Sequence, residues 1–580
     1  MNIKGNRFAL WCVVGVVSVT AIAWWIIPAV AVREVAAQQP LANPFGVKID
    51  APEFPNGATW LNTVPLTKKD LKGKFVLLDF WTYCCINCMH ILPELKKLEQ
   101  QFPNNLVVIG VHSAKFEAEK DTENIRKAIL RYKIEHPVIN DPDRTLWDAY
   151  EVNSWPTIVL IDPEGNKVAY RSGEFKAPDV SAALNRAIPF YRQEKLLDEK
   201  PMKFALEAER ETPTPLRFPG KILADEKGNR LFISDSNHNR IVVTTLDGKL
   251  LDIIGSGETG TVDGDYQTAS FNDPQGCALN GETLYIADNE NHMLRKVDLK
   301  LKTVTTIAGT GVQASNAWPG FMPGAKLIRK RYVGPPKTTE LTSPWALWVH
   351  NKDLYIAMAG SHQIWKMPLD ESEIGPYAGN AREDIVDGAL LPPEPYGRSS
   401  VFAQPSGLSS DGKDWLFVAD SEGSSVRKVP FRKGSLEVGT VVGSDKLAAG
   451  RLFAFGDQDG PRSQVKLQHC LEVVYYEDPK LDAKTREKKI FVADTYNHKI
   501  KVVDAKSGDT KTLAGTGKPG SSDNPAQFHE PAGLAYAKGK LYVADTNNHL
   551  IRTIDLASGK VATLAIEGLA GPGPQAVVAQ

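Results

Sequence analysis

Three cysteines, Cys84, Cys85 and Cys88, lie within five positions of one another and are the clearest chemical signal in the sequence. They follow an apolar run, residues 74–81, that predicts a buried strand, and they precede residues 90–102, whose apolar spacing predicts a helix. A cysteine at a helix N-terminus is close to unpaired backbone N–H groups, which stabilise a thiolate. Cys88 lies about one helical turn beyond Cys85 and can close a small disulfide with it. The spacing predicts thiol–disulfide exchange in which Cys85 attacks and Cys88 resolves the mixed disulfide.

Other chemistries of this cluster stay open. A structural disulfide that never turns over has the same spacing. A zinc site needs about four ligands, and His90 is the only further candidate nearby in the sequence. A thiol peroxidase needs a proline upstream of its reactive cysteine, which residues 81–85 lack. Cys84 is compatible with a bystander thiol packed like a small hydrophobe, with a third redox partner, or with a glutathionylation site.

The elements around the cysteines alternate between strand and helix. Apolar runs at residues 106–111 and 155–162 predict two further strands, and residues 122–132 predict a second helix. Alternation of this kind predicts a central sheet with helices on its faces.

Residues at fixed distances from the cysteines give this stretch a resemblance to thioredoxins; they are Asp79, Trp81, Pro93 and Pro156. The resemblance implies that Asp79 is a buried acid that relays the proton of Cys88. It also implies that Pro156 belongs to a cis-proline loop that lies against the disulfide and receives substrate backbone. Trp155 and Cys84 depart from the usual thioredoxin residues at their positions, and both are expected to border the substrate groove.

From about residue 216 the helical patterns end and a short unit recurs six times. Its anchor strand ends in Asp in every copy except the third, which has Met358; the strands are residues 231–235, 284–288, 354–358, 416–420, 490–494 and 541–545. Each unit has room for about four short strands, and several such units close into a ring. The repeat therefore predicts a six-bladed β-propeller.

The repeated Asp residues raise the question of a metal. Because they occupy equivalent places in separate blades, they are spread around the ring, and we interpret them as residues that bond the local backbone and shape each turn. A calcium or zinc ion in the central channel stays open, since its ligands need not be sequential.

The turn after the anchor strand, in which Asp is followed by Asn-His and then by Ile as in residues 235–241, resembles the NHL repeat. Together with the preceding Cys-Cys-Ile-Asn-Cys stretch, it makes the chain resemble proteins of the NHL repeat-containing protein 2 type over about residues 50–565. The resemblance implies a thioredoxin-like domain joined to a six-bladed NHL propeller.

The first residues predict export. Lys4 and Arg7 precede an uncharged stretch, residues 8–32, that is longer than the roughly 7–15-residue core of a signal peptide. It is long enough to cross a bilayer, which takes about 20 residues. Positive charge before the stretch keeps the N-terminus cytoplasmic and places the body on the extracytoplasmic side. Small residues at 29–31 leave cleavage, with a secreted or periplasmic product, as the alternative.

Composition sets further limits. The 580 residues carry a formal net charge of −1, so no strong field attracts nucleic acid. A hydrophobic fraction of 42% can build real cores and excludes a wholly disordered or fibrous chain. The sequence predicts a multidomain protein consisting of a membrane anchor (1–33), a tether (34–50), an α/β thioredoxin-like domain (51–192), a linker (193–215), an all-β propeller (216–566) and a flexible tail (567–580).

The predicted function is that of a membrane-tethered, extracytoplasmic thiol–disulfide oxidoreductase of the TlpA-like kind. Cys85 and Cys88 form its redox disulfide, Asp79 relays the proton, and the propeller binds partner proteins or peptides. Expected partners are protein thiols or disulfides and a membrane electron donor or acceptor, with no nucleic acid and no cofactor. The alternatives are a redox-gated scaffold without turnover, a thiol peroxidase and a propeller metalloenzyme.

Overall fold

The computed structural model describes residues 41–46, 48–320, 332–432, 437–478, 481–482 and 486–570. Within these ranges no helix is both long enough and apolar enough to cross a membrane. The predicted anchor, together with residues 34–40 and 47 of the predicted tether, lies outside the described residues. The residues from Asn43 onward form one compact unit that contains both the thioredoxin-like domain and the propeller.

One sheet forms the centre of the thioredoxin-like domain; its strands are β1 (Ile49–Asp50), β2 (Trp60–Leu61), β3 (Phe75–Trp81), β4 (Leu106–His112), β5 (Val138–Asn140), β6 (Thr157–Ile161) and β7 (Asn166–Ser172). Their order across the sheet is β1-β7-β6-β3-β4-β5-β2. β3 runs parallel to β4 and antiparallel to β6. The helices are α1 (Ile86–Gln101), α2 (Thr122–Arg131), α3 (Thr145–Ala149) and α4 (Ala177–Gln193).

Alternation along β3 explains the two layers of this core. Phe75 and Leu77 face α1 and α4 in one apolar cluster, while Val76, Leu78 and Phe80 pack toward α3 in another. Because both faces are covered, every residue of the strand is buried. This is why the strand reads in the sequence as one continuous apolar run.

The helix that carries the cysteines begins earlier than predicted. α1 starts at Ile86, four residues before the predicted start, because the N–H groups of Cys88 and Met89 already donate to the Cys85 carbonyl at 3.1 and 3.2 Å. Six further elements had no counterpart in the sequence prediction: β1, β2, β5, β7, α3 and α4. β7 is largely exposed and so lacks an apolar pattern.

Six antiparallel sheets follow, which confirms the predicted six blades. Blades 1 to 3 consist of β8 (Pro219–Asp225), β9 (Arg230–Asp235), β10 (Arg240–Thr245) and β11 (Leu250–Ile254); β12 (Gly264–Asp265), β13 (Pro274–Asn280), β14 (Thr283–Asp288), β15 (Met293–Asp298) and β16 (Thr303–Ala308); and β17 (Pro344–His350), β18 (Asp353–Met358), β19 (Gln363–Pro368) and β20 (Gly375–Ala378). Blades 4 to 6 consist of β21 (Pro405–Ser410), β22 (Trp415–Asp420), β23 (Ser425–Pro430) and β24 (Gly439–Val442); β25 (Glu472–Glu477), β26 (Lys488–Asp494), β27 (Lys499–Asp504) and β28 (Thr510–Ala514); and β29 (Pro531–Ala537), β30 (Lys540–Asp545), β31 (Leu550–Asp555) and β32 (Val561–Thr563).

The first full strand of each blade lines the central channel. These innermost strands, β8, β13, β17, β21, β25 and β29, contact one another in sequence, and the contact of β29 with β8 closes the ring. The chain after blade 6 returns to blade 1, where Leu250 donates to the Glu567 carbonyl at 3.1 Å. Short 3-10 helices in the described part of the chain are Ala118–Lys120, Glu207–Arg210, Ser236–His238, Pro336–Thr338, Ala359–Ser361, Arg451–Phe453, Thr495–Asn497 and Thr546–Asn548.

The recurring Asp and His side chains hold the turns of the propeller together. In blade 6, Asp545 accepts the backbone N–H of His529 at 2.7 Å and pairs with buried Arg552 at 2.9 Å. Between blades 5 and 6, Nδ1 of His498 accepts the N–H of Glu530 at 3.1 Å. These bonds satisfy buried backbone groups, which is a structural role. Among the described residues, no group of three or more His, Cys, Asp and Glu could hold a metal ion.

Candidate functional site

The cysteines occupy the loop between β3 and α1, with Cys85 as the N-cap of the helix. Cys84 is fully buried, Cys88 is 1% exposed and Cys85 is 7% exposed. All the described cysteines are free thiols in this structure. The early start of α1 makes Cys85 the residue that caps the helix, with its side chain forming no capping hydrogen bond to the first turn.

Cys88 and Asp79 form the buried side of the site. Burial, together with a hydrogen bond that the Cys88 thiol donates to Cys85, raises the pKa of Cys88 well above its usual value. Asp79 lies on β3 with no exposed surface, and within the described residues neither of its carboxyl oxygens has a hydrogen-bond partner. Burial therefore raises its pKa from 3.8 to about 7, although nearby His136 opposes the shift. An acid that titrates near neutrality next to a protonated thiol can accept the proton of that thiol.

Cys84 has no comparable arrangement. Its backbone N–H donates to Glu119 at 2.9 Å, and its thiol packs in an apolar cluster with Trp81 and Phe116. Burial, helped by the negative charge of Glu119, raises the pKa of Cys84 well above its usual value. The geometry favours the interpretation of Cys84 as a packed bystander thiol.

The other thioredoxin-like positions surround this cluster. The peptide bond between Trp155 and Pro156 is cis. The Trp155 indole packs on the cysteine cluster and donates to the Ser113 carbonyl at 3.0 Å. Trp81 is buried and packs over Gly110, where an added Cβ would lie 2.8 Å from the indole nitrogen. Pro93 lies inside α1, and the fold thus places all eight residues that the sequence singled out on β3, in the loop after it, on α1 or just before β6, while their roles stay predictions.

The propeller covers the redox loop. The side-chain amide of Gln404, from the start of blade 4, accepts the N–H of Ile86 at 3.0 Å and donates to the Cys84 carbonyl at 3.0 Å. These two bonds lie on either side of Cys85. Ile86 and Met89 also pack against Trp345 of blade 3. Cys85 is therefore buried by the propeller as well as by its own domain.

Two positions of the repeat meet the thioredoxin-like domain. The first position comes directly before the Pro of the innermost strand, or before Cys470 in blade 5. Its residues all have positive φ, and they are Phe218, Asp273, Ser343, Gln404, His469 and Glu530. The other is the second residue after the anchor strand: Asn237, Glu290, Gly360, Glu422, Tyr496 and Asn547. Glu530, for example, accepts from Tyr83 at 2.9 Å and from Arg131 at 3.1 Å.

The sequence analysis missed these contact residues. A signal was present, because both positions change from blade to blade while the Asp and Pro beside them recur. Because the turn does not require a particular residue at these positions, the residue type can differ from blade to blade according to its contacts. In blades 3 to 6 these positions contact different parts of the thioredoxin-like domain.

Comparisons with known proteins agree with this architecture. A thioredoxin-like family model matches residues 73–167, and the NHL repeat model matches residues 528–554. The chain is 43% identical over 544 residues to Protein SUPPRESSOR OF QUENCHING 1, chloroplastic, of Arabidopsis thaliana, covering 90% of this chain and 49% of that protein. It is 40% identical over 550 residues to NHL repeat-containing protein 2 of Homo sapiens, covering 89% of this chain and 72% of that protein.

The chain thus spans about half the length of the Arabidopsis protein. The thioredoxin-like part alone is 26% identical over 138 residues to the thiol-disulfide oxidoreductase YkuV of Bacillus subtilis, covering 24% of this chain and 93% of that protein. This domain is therefore related to thiol–disulfide oxidoreductases.

Proposed function

Because this chain belongs to the NHL repeat-containing protein 2 family, we propose that its Cys85–Cys88 dithiol is the working part of a thiol–disulfide oxidoreductase. One observation carries the proposal: Cys88 is hydrogen-bonded to the helix-capping Cys85 and also interacts electrostatically with Asp79, a buried acid without a hydrogen-bond partner among the described residues. A buried carboxyl without a hydrogen-bond partner lowers the stability of the fold, so Asp79 must have a role other than stabilising the structure. Proton transfer to and from Cys88 is such a reason.

The proposed exchange has two steps. The Cys85 thiolate attacks one sulfur of a substrate disulfide, a new S–S bond forms, and the other substrate sulfur leaves as a thiolate that takes a proton from water. Cys88 then gives its proton to Asp79 and attacks the Cys85 sulfur. The Cys85–Cys88 disulfide forms while the bond between Cys85 and the substrate breaks, and the second substrate sulfur leaves as a thiolate that takes a proton from water, so that two electrons pass to the substrate. Run backwards, the same steps oxidise a substrate dithiol, and neither direction needs a cofactor.

We propose that the reaction takes place outside the cytoplasm, with the body tethered by residues 8–32. The charges at Lys4 and Arg7 and the length of the uncharged stretch support this orientation. A membrane electron donor or acceptor would then reset the dithiol. Fusions of alkaline phosphatase after residue 50 and after the full chain test the location: we expect both to be active, and inactive fusions would contradict it.

The propeller is proposed to bind partner proteins or peptides through the channel mouth that the thioredoxin-like domain leaves free. Innermost strands such as β8 and β29 begin at the covered mouth and end at the free mouth. There they surround a depression of about 220 Å³. Lys221 and Tyr475 are among its lining residues. Since Gln404 and its neighbours cover Cys85, a protein disulfide reaches the dithiol only after the two domains separate.

Trapping of mixed disulfides tests the oxidoreductase proposal. In a Cys88→Ser variant the first step proceeds and the second cannot, so partner proteins are expected to stay bound to Cys85. They should appear as adducts of higher mass that dithiothreitol removes. The Cys85→Ser/Cys88→Ser double variant is the matched control and is expected to trap nothing. Absence of adducts from Cys88→Ser, or equal adducts in both variants, would contradict the proposal.

A redox-gated scaffold is the second candidate, because the dithiol lies inside the domain interface and Gln404 bonds to both sides of Cys85. A change in the redox state of the pair would then alter docking rather than a substrate. This candidate predicts partner binding that persists in both cysteine variants and changes with redox state, without covalent adducts.

A further inference from the structure

A cleft of about 260 Å³ lies between the two domains on the side of blades 1 and 2. On the thioredoxin-like side it is lined by α1 and the loop after α2, where Leu92 and Pro93 supply apolar surface. The propeller side is polar and includes Asn237, Asp273 and Glu290. The cleft therefore combines an apolar strip with a wall of hydrogen-bond acceptors.

The repeat shows why this wall is unusual. Asn237, Asp273 and Glu290 hold the two repeat positions that contact the thioredoxin-like domain in blades 3 to 6. In blades 1 and 2 the side-chain bonds stay within the propeller: Asn237 donates to Asp273 at 3.4 Å, and Asp273 accepts from Gln275 at 2.9 Å. Within the described residues, none of the three side chains forms a hydrogen bond or ion pair with the other domain. They face the cleft instead.

Two side chains of this wall have unused acceptors. Asn237 is only 8% exposed, and its Oδ1 has no hydrogen-bond partner among the described residues. The half-buried Glu290 side chain forms no hydrogen bond or ion pair in the described part of the chain. Burial raises the pKa of Glu290 to about 8, and negative charge on Asp273 raises it further. Buried acceptors without donors are unfavourable, and a ligand that supplies N–H groups and positive charge would relieve both.

The charges around the cleft leave negative charge in excess. Two of the cations in its walls already have carboxylate partners, as Lys96 pairs with Glu135 at 3.1 Å and Arg131 with Glu530 at 3.1 Å. Lys133 is exposed, and its positive charge acts on both Asp273 and Glu290. One cation thus faces two carboxyl groups. Because no group of three or more His, Cys, Asp and Glu among the described residues could hold a metal ion, an organic cation fits this wall better.

We propose that the cleft binds a guanidinium group on a short aliphatic stem, with the Asp273 and Glu290 carboxylates and the Asn237 oxygen as its acceptors. A guanidinium is planar, offers five N–H donors and pairs with carboxylates through two parallel bonds. Its stem would lie on Leu92 and Pro93 of α1. Two sources carry this chemistry, a free alkylguanidine and the arginine side chain of a polypeptide.

The site goes beyond the proposed function, because it needs no disulfide chemistry. A ligand in the cleft touches both domains, so it binds the docked arrangement and not the separated one. By mass action it stabilises docking and keeps Cys85 covered. The geometry thus makes a guanidinium ligand a negative regulator of access to the dithiol.

Isothermal titration of the full-length protein with butylguanidinium tests the site, at pH 8.5, where Glu290 is ionised. We expect saturable binding of one ligand per chain. Butylurea has a similar shape without the charge and should bind at least about tenfold more weakly, because charge-assisted hydrogen bonds are lost. Glu290→Gln and Asp273→Asn should each weaken butylguanidinium binding about tenfold for the same reason.

Lys133→Met changes an exposed side chain and is expected to strengthen binding, because it removes the competing cation. Opposite shifts in the acidic and basic variants separate a specific site from general damage to the interface. The matched control is Glu282→Gln, which removes a blade 2 carboxylate that pairs with Arg230 outside the cleft and should leave binding unchanged.

Modification of Cys85 by a maleimide, followed by mass spectrometry, measures the effect on docking. Saturating butylguanidinium should slow it in the wild-type protein and not in Glu290→Gln. The peptide acetyl-Gly-Arg-Gly-amide distinguishes the two sources: binding as tight as that of butylguanidinium assigns a polypeptide arginine, and weaker binding assigns a free alkylguanidine.

Three results would overturn the inference: no saturable binding, binding that equals that of butylurea, or affinity unchanged in both Glu290→Gln and Asp273→Asn. Binding that leaves the modification rate of Cys85 unchanged would overturn the regulatory role. None of these results depends on disulfide exchange, so they are distinct from failure of the proposed function, which is measured by the trapped mixed disulfides.

Discussion

A Cys85→Ser variant is expected to lose disulfide exchange down to the uncatalysed rate, whereas Cys84→Ser, one residue away, keeps the wild-type order of magnitude. A hydroxyl at position 85 cannot form the mixed disulfide, so the first step has no nucleophile. Reduction of a small disulfide, followed by release of its thiol, measures the difference. A small substrate is preferred because Cys85 is only 7% exposed in the docked structure.

The same two variants should differ in stability in the opposite order, with Cys84→Ser losing stability and Cys85→Ser keeping it. Cys84 is fully buried in an apolar cluster, so a serine hydroxyl there is expected to cost about 1–3 kcal/mol of unfolding free energy. Cys85 is at the helix N-cap, where Ser is a favourable residue, so its replacement is expected to change stability little. Denaturant unfolding of both variants measures this. Loss of exchange in Cys84→Ser with the fold intact would instead make Cys84 a third redox partner.

The parts of the site that the sequence predicted correctly are those set by local geometry. Cys85, Cys88 and Asp79 lie on one strand–loop–helix unit, so their spacing alone brings them together. The six blades could also be predicted, because an anchor strand that repeats at similar intervals is visible in the sequence as a periodic pattern. The start of α1 was missed because the cysteine segment before residue 90 has no amphipathic pattern.

The docking of the two domains could not be predicted in this way. Gln404 contacts Cys84 across 320 positions, and Glu422 contacts Lys115 across 307. Contacts between residues so far apart in the sequence depend on how the ring closes and on which of its faces meets the thioredoxin-like domain. The spacing of residues within a short segment carries no information about either. The sequence predicts a propeller that binds partner proteins or peptides, but only the structure shows that the thioredoxin-like domain already covers one mouth of its channel.

An Asp79→Asn variant is expected to stall the second step of the exchange. Asparagine has nearly the same shape but cannot accept the proton of Cys88, and general-base contributions of this kind are about 10²–10⁴-fold. The mixed disulfide with a substrate should therefore persist about 10²-fold longer near pH 7, while its formation by Cys85 is little affected. Quenched-flow analysis by mass spectrometry measures both steps. Unchanged lifetimes would exclude Asp79 as the proton acceptor.

The same substitution should stabilise the fold, with a pH dependence of predictable sign. Because burial raises the pKa of Asp79 from 3.8 to about 7, the unfolded chain releases this proton first as the pH rises. The cost of the native carboxyl is absent below about pH 4, grows between about pH 4 and 7, and is complete above that range. The difference between a pKa of 3.8 and one of about 7 corresponds to about 4 kcal/mol of unfolding free energy.

Asp79→Asn should therefore raise the free energy of unfolding by up to about 4 kcal/mol at pH 8 and by little at pH 4, as denaturant titrations at the two pH values would measure. A matched control is Asp162→Asn, since Asp162 is also buried but accepts several hydrogen bonds, including one from Tyr191 at 2.8 Å. Its replacement should destabilise the fold, because bonded partners lose their acceptor. Slower turnover combined with greater stability at Asp79 would mean that the buried acid is retained for the reaction and at the expense of the fold.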